Sequence, residues 1–326
     1  MPELSQAKIN AFHGIDILNA AQFTKENLET LFLVAKEYEK CLKEKKRLYD
    51  MDGKVMASLF FEPSTRTRLS FETAMYRLGG NVITVAEAAD SKTSSTSKGE
   101  TLRDSFIMVD AYADLIVTRS SEKGSAQIAA DAAKIPVLNA GDGIGQHPSQ
   151  ALLDIYTIIK EKGGVDGLSV ALCGDLKNGR TVHSLIDFLS LYKTKVILAS
   201  PEVLAMPQEI TTKMQAKGLE MEVTNNFKYA CTKADVIYMT RVQRERFEDL
   251  AQYEKVKDDF IMNGSMVKDF KPGAIILHPF PRLNEIALDV DAYEGAAYFR
   301  QAANGLPVRM AMIALVTGNV KFATKI

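Results

Sequence analysis

The sequence is poor in the residues that announce the commoner kinds of site. Of 326 residues only three are cysteine and four histidine. Cys41, Cys173 and Cys231 are odd in number, widely spaced and form no CxxC, which fits a reduced, cytoplasmic protein better than a disulfide framework. The histidines, at 13, 147, 183 and 278, show no HExxH or clustered spacing, so no metal is expected. The absence of GxGxxG and GxxxxGK[ST] argues against dinucleotides and P-loop chemistry, and no GxSxG elbow is present, so no cofactor is expected either. No apolar run approaches the roughly 18 residues of a membrane span. The opening MPELSQAKINAF lacks the basic start and apolar block of a signal peptide. Charge of one sign is missing too: 40 Lys+Arg face 41 Asp+Glu, for a formal net charge of -1. That balance offers no field for nucleic acid or a membrane surface, so any anionic ligand must be met by local cationic clusters.

What is present is an alternation of short apolar runs with helical patterns. Strands are predicted at 55–61, 81–86, 114–119 and 136–140, with amphipathic helices at 68–78, 101–112 and 126–133 between them. After a helix at 152–162 and the break Lys162-Gly163-Gly164, the alternation restarts with strands at 169–173, 195–200, 220–224, 235–240 and 274–278. Strand–helix–strand order, with strands buried on both faces, implies βαβ units and parallel sheets. The length also exceeds what one core usually serves. The fold class expected is α/β: two domains of similar size, each a parallel sheet flanked by helices, joined by interdomain helices. The division falls near 150, giving domains 1–150 and 151–296, with a closing helix at about 297–319 packing back on the first. The stretch 86–97, AEAADSKTSSTS, is too rich in small polar residues to hold itself in place and is predicted to be a mobile loop.

The sharpest chemical feature is Ser64-Thr65-Arg66-Thr67-Arg68, at a turn from strand to helix. A helix N-terminus offers unpaired N–H groups and the positive end of the dipole, and hydroxyls plus guanidinium groups complete a phosphate cradle. A plain helix cap is the bland alternative, but five such residues exceed what capping needs. Arg119 ends a strand on the same edge. His147 and Gln150 follow a Gly-rich turn and can donate hydrogen bonds, although His147 could equally serve to tie that turn down. In the second half Arg180, Arg241 with Gln243, and Arg282 follow three strands. Guanidinium forks at two strand ends match a ligand with two carboxylates, whereas Arg244 and Arg246 read as interdomain or surface ion-pair residues. No nucleophile stands out, which suits a reaction driven by positioning and charge stabilisation.

Six segments, FFEPSTRTRLSFE, SKGETLRDS, GDGIGQHPSQALLD, GDLKNGRTVHSL, YMTRVQRERF and LHPFPR, occur in order and together resemble aspartate carbamoyltransferase catalytic chains from about residue 14 to 319. The resemblance implies transfer of the carbamoyl group of carbamoyl phosphate to the amine of L-aspartate, an early step of de novo pyrimidine biosynthesis. It implies that Ser64, Thr65, Arg66, Thr67 and Arg119 hold the phosphate, and that Thr67, Arg119 and His147 polarise the carbamoyl oxygen. Gln150 and the backbone carbonyls around Phe280 and Pro281 would hold the carbamoyl amine, and Arg180, Arg241 and Gln243 the aspartate carboxylates. Ser94 and Lys98 would reach into the site of a neighbouring subunit of a homotrimer, with Lys98 meeting both ligands. Phe280 stands where the family often has leucine, and Ser97 where some members have a second lysine. Ornithine is the alternative acceptor, and a non-catalytic homologue the alternative class. The segment HPFPR in place of His-Cys-Leu-Pro disfavours ornithine, and the presence of Arg66, Lys98, Arg119 and His147 disfavours loss of catalysis.

Overall fold

The computed structural model describes residues 4–86, 99–244, 247, 249–256 and 259–322. Ser94, Lys98, Arg246 and most of the predicted loop at 86–97 lie outside them. The chain divides into two compact units, Met1–Leu152 with Asn304–Ile326, and Leu153–Ala303.

The first unit opens with α1 (Gln6–Asn10) and α2 (Lys25–Lys43). It continues with β1 (Val55–Phe60), α3 (Thr65–Arg77), β2 (Asn81–Val85), α4 (Leu102–Asp110), β3 (Leu115–Ser120), α5 (Ser125–Ala132) and β4 (Val137–Asp142). Its sheet has four parallel strands in the order β2-β1-β3-β4. α6 (Pro148–Lys162) carries the chain into the second unit. There follow β5 (Ser169–Cys173), α7 (Arg180–Leu189), β6 (Lys195–Ala199), α8 (Gln208–Ala216), β7 (Glu220–Thr224), α9 (Phe227–Lys233), β8 (Val236–Met239), α10 (Leu250–Val256) and β9 (Ile275–Leu277). This sheet has five parallel strands, β7-β6-β5-β8-β9. α11 (Tyr298–Val316) returns the chain to the first unit, where nearly every side chain from Val308 to Val316 is buried. There Val316 O accepts from Gly14 N–H at 2.8 Å, and beyond the helix Phe322 lies against the ring of Tyr38 at 4.9 Å.

Strands buried on both faces were expected throughout, and two of the four outer strands, β2 and β7, depart from that. β2 exposes Ile83 and Val85, and Val223 of β7 is 71% exposed. β2 and β7 each pair on one side only and are left partly bare, whereas the outer strands β4 and β9 gain bridges from Ile17 and Ala296 and stay buried. β1, β3, β5 and β8, by contrast, are almost wholly buried, the polar Ser58, Thr118, Arg119 and Ser120 included.

Both sheets are pinned at the end where their central strands begin. Asp114, just before β3, donates its N–H to Val55 O (2.8 Å), and its carboxylate accepts from Val55 N–H (2.8 Å) and Lys54 Nζ (2.8 Å). Asp235, just before β8, repeats the device with Ser169 O (2.8 Å), Ser169 N–H (2.9 Å) and Lys271 Nζ (3.1 Å). Backbone groups at a strand start would otherwise be unpaired. The pins fix register at one edge of each sheet and leave the carboxyl edge open to other uses.

Candidate active site

In the first unit the chain leaves β1 toward β2 on one side and β3 toward β4 on the other, so β1 and β3 flank a topological switch point. Ligands of open α/β sheets bind beyond the carboxyl ends of such a pair. Phe60 and Arg119 are in register there, and Phe61 N–H donates to Arg119 O at 2.8 Å, which brings the Ser64 turn beside Arg119. Arg119 is 9% exposed; its Nη2 donates to Glu62 Oε1 at 2.8 Å and its Nη1 to Ala140 O at 3.1 Å. Glu62 was not among the expected residues. Its role shows only once strand pairing sets it against Arg119.

Ser64 occupies the cap position of α3 in extended conformation, yet its side chain makes no capping hydrogen bond. The plain-cap alternative therefore fails for the residue that should have embodied it. Thr67 is buried and Ser64 half-buried, while Thr65 and Arg66 reach the surface. The first turn of α3 contains no acid. A cation at the positive end of a helix is unfavourable by roughly 0.3–1 kcal/mol, and an anion bound there reverses the sign. Desolvation already draws the Arg66 guanidinium below its ordinary pKa.

β4 ends in the loop that carries His147 and Gln150. The Asp142 carboxylate winds that loop, accepting from Gln146 N–H (2.6 Å) and Gly124 N–H (2.9 Å). Gly143 has φ +52°, and a Cβ there would lie 2.5 Å from Ser121 O, so the tight turn needs glycine. His147 takes part in α6 through its backbone: His147 O accepts from Gln150 N–H (3.0 Å) and Ala151 N–H (3.2 Å). Its ring and the Gln150 side chain are buried, with Ser149 Oγ 3.4 Å from His147 Nδ1. Since β1, β3 and β4 are successive strands, Ser64–Thr67, Arg119 and His147–Gln150 share one carboxyl edge.

The second unit has its own switch point, between β5 and β8. Arg180 is the first residue of α7, whose first turn again carries no acid. Arg241 and Gln243 follow β8 and are half-buried. Gly174, at φ +105°, lets the two connections touch: a Cβ there would sit 2.4 Å from Thr240 O. Asp175 joins them further. This buried carboxylate accepts from Asn178 N–H at 2.9 Å and from the backbone N–H of Gln243, while burial pushes its pKa up. Like Glu62, it fixes arginine-bearing segments and escaped the sequence reading. Arg244 is exposed, as a surface residue would be.

Next along the same edge, β9 leads into His278–Arg282. Phe280 has φ +58°, its bond to Pro281 is cis, and its N–H donates to His278 Nδ1 at 2.8 Å. Arg282 is not available as a further carboxylate fork. Its guanidinium pairs with Asp291, which raises its pKa, and lies over the rings of Tyr298 (5.3 Å) and Phe299 (5.8 Å).

Residues 16–160 match the family described as aspartate/ornithine carbamoyltransferase, carbamoyl-P binding domain, and residues 166–316 its Asp/Orn binding domain. The chain belongs to the aspartate/ornithine carbamoyltransferase family. It is 46% identical over 307 residues to the aspartate carbamoyltransferase catalytic subunit of Thermococcus gammatolerans, covering 94% of this chain and 99% of that one. To the chloroplastic aspartate carbamoyltransferase of Arabidopsis thaliana it is 48% identical over 311 residues, covering 95% and 79%. The crystal structure of aspartate transcarbamoylase from Trypanosoma cruzi in complex with carbamoyl phosphate and aspartate is similar to it with a TM-score of 0.90 at 38% identity, covering 96% and 99%. In this carbamoyltransferase-family chain the first matched domain runs to residue 160, near the end of α6, and the second stops at 316 with α11.

Proposed function

We propose that this chain transfers the carbamoyl group of carbamoyl phosphate to the amine of L-aspartate, giving N-carbamoyl-L-aspartate and phosphate. The observation that carries this is a repeated one. Each unit places arginine in the first turn of a helix at a switch point, where the positive end of the dipole favours a bound anion. Ser64, Thr65, Arg66, Thr67 and Arg119 take the phosphate, and Arg180, Arg241 and Gln243 take the two carboxylates. Gln150 and the carbonyls of the Phe280–Pro281 turn hold the carbamoyl amine.

Chemistry then needs no covalent intermediate. As the neutral amine of aspartate attacks the carbamoyl carbon, negative charge grows on the carbonyl oxygen, where Arg119, Thr67 and His147 stabilise it. Collapse expels phosphate into a cradle already holding its charge, and the phosphate takes the proton that the amine gives up. Glu62 keeps the Arg119 guanidinium oriented. Glu62→Ala is expected to lower turnover about tenfold, an effect kept modest because Glu62 is partly solvated. Unchanged turnover in that variant would remove Glu62 from the account.

The test of the function is direct: purified protein, carbamoyl phosphate, and aspartate or ornithine in turn. Carbamoylation of aspartate alone is expected; preferential use of ornithine would overturn the reading. Arg241→Ala should raise the KM for aspartate by about 100-fold or more, as loss of a charged bidentate contact does, with carbamoyl phosphate binding nearly intact. Calorimetry showing equal losses for both ligands would contradict a division of labour between the units.

A homotrimer with shared sites, in which Ser94 and Lys98 serve the neighbouring subunit, belongs to the same proposal. It is supported by apolar side chains left bare on consecutive elements: Leu69 and Tyr76 of α3, Ile83 and Val85 of β2, Ile107 and Met108 of α4. The segment bearing Ser94 and Lys98 connects β2 to α4, two of those elements. Three buried free cysteines favour a cytoplasmic location, and no helix of the described residues is long and apolar enough to cross a membrane.

A further inference from the structure

We propose that His278 and Glu285 are positioning residues for carbamoyl transfer, clamping the Phe280–Pro281 turn so that its carbonyl oxygens can receive the carbamoyl amine. The inference rests on the function proposed above. It starts from a backbone outlier: Phe280 is a bulky, non-glycine residue at φ +58°. Such a residue costs of order 1–3 kcal/mol and persists only where its surroundings over-determine it.

The surroundings here do so from both ends of the turn. Phe280 N–H can only donate, so His278 Nδ1 must accept (2.8 Å), and the ring proton sits on Nε2, 2.7 Å from Glu285 Oε1. The other oxygen of Glu285 accepts from Leu283 N–H at 3.1 Å. Two side chains thus bracket 280–283 through one imidazole and one carboxylate. Both are almost fully buried. Burial pushes the Glu285 carboxyl upward, but the bonds from His278 and the backbone outweigh it and hold the pKa below the ordinary value. Behind the clamp, His278 N–H donates to Gln301 Oε1 (2.8 Å), Gln301 Nε2 to Asp154 Oδ1 (2.6 Å), and Tyr238 Oη to Asp154 Oδ2 (2.8 Å). The backbone of His278 is therefore anchored to α11 and, through Gln301 and Asp154, to α6 and to β8, the strand that precedes Arg241. Phe280 is held from its ring as well, against Phe299 (5.4 Å) and Tyr298 (6.0 Å). Burying an ionisable pair is costly unless its geometry is satisfied, and this one is built around a turn at the carboxyl edge.

Two substitutions separate the halves of the imidazole. His278→Asn offers an oxygen near the Nδ1 position and can still accept from Phe280 N–H. His278→Gln offers an amide near Nε2, keeping Glu285 company and losing that acceptor. The readouts are carbamoyl phosphate KM and kcat, beside inhibition by inorganic phosphate, which has no carbamoyl amine to place. His278→Gln is expected to weaken carbamoyl phosphate about tenfold and lower kcat by a similar factor, with phosphate inhibition unchanged. His278→Asn should stay within about threefold of the parent. Glu285→Gln, whose amide cannot accept both bonds, should repeat the selective loss and covers the case in which His278→Gln does not fold. Equal weakening of phosphate and carbamoyl phosphate, or parental kinetics in His278→Gln and Glu285→Gln, would overturn the clamp. Turnover of the parent with aspartate is measured first, so failure of the function itself is seen separately.

Discussion

Replacing Arg66 with alanine is expected to cut turnover at least about 100-fold while leaving the protein as stable as its parent, or slightly more so. Removing one partner of a desolvated charge pair costs about 3 kcal/mol, and each 1.36 kcal/mol is a factor of ten in rate. The stability half of the prediction is the more discriminating. Arg66 stands in the first turn of α3, which itself carries no acid, at the positive end of the helix dipole. Without an anion it opposes the helix; a phosphate makes it favourable. The two effects should be read together, as steady-state rates and as Tm with and without phosphate. In the parent, phosphate should raise Tm by mass action, and in Arg66→Ala that protection should largely vanish. Near-normal turnover, or undiminished protection by phosphate, would sink the cradle.

The second large effect is a recovery. Arg66→Ala and Lys98→Ala are each expected to be almost inactive as pure proteins, and a dissociated and reassembled mixture to be active. In a closed ring of three every contact repeats, so each subunit can lend Lys98 to the next. Random mixing of equal amounts leaves roughly a quarter of the interfaces with an intact Arg66 on one side and an intact Lys98 on the other, from the ring geometry alone. Activity should rise to about that share of the parent's. Reassembly verified by size, with activity still at the level of the separate variants, would show that each site is complete within its own chain.

Much of this was legible in the sequence because its chemistry is contiguous. Ser64–Arg68 and the Arg241–Gln243 segment are local strings at strand ends, and apolar runs of strand length locate the ends themselves. Boundaries were less legible. The helix expected from 68 begins at Thr65, because threonine is an indifferent helix former whose participation is decided by the turn before it. The long α2, capped by the Thr24 side chain, lies before the first strand and outside the strand–helix alternation that marks the rest of the fold. Glu62, Asp175 and Glu285 went unread for a different reason. Each acts on a group that only strand pairing or a long turn brings near, and a lone acid in a sequence has no address. Nor does anything in LHPFPR reveal that Asp291, nine residues on, already holds Arg282.

The Asp114 and Asp235 pins bear on how this architecture can change. They hold each central strand pair at the end remote from Arg119, Arg180 and Arg241, so register does not depend on what the opposite edge carries. Residues that meet a ligand are therefore free to drift, one exchange at a time, without loosening the frame that presents them. A single scaffold can in this way accept different amines over evolutionary time, and the family to which this chain belongs carries both aspartate and ornithine in its description. Retargeting of the acceptor should accordingly be sought in the connections after β5 and β8, with the strands left untouched.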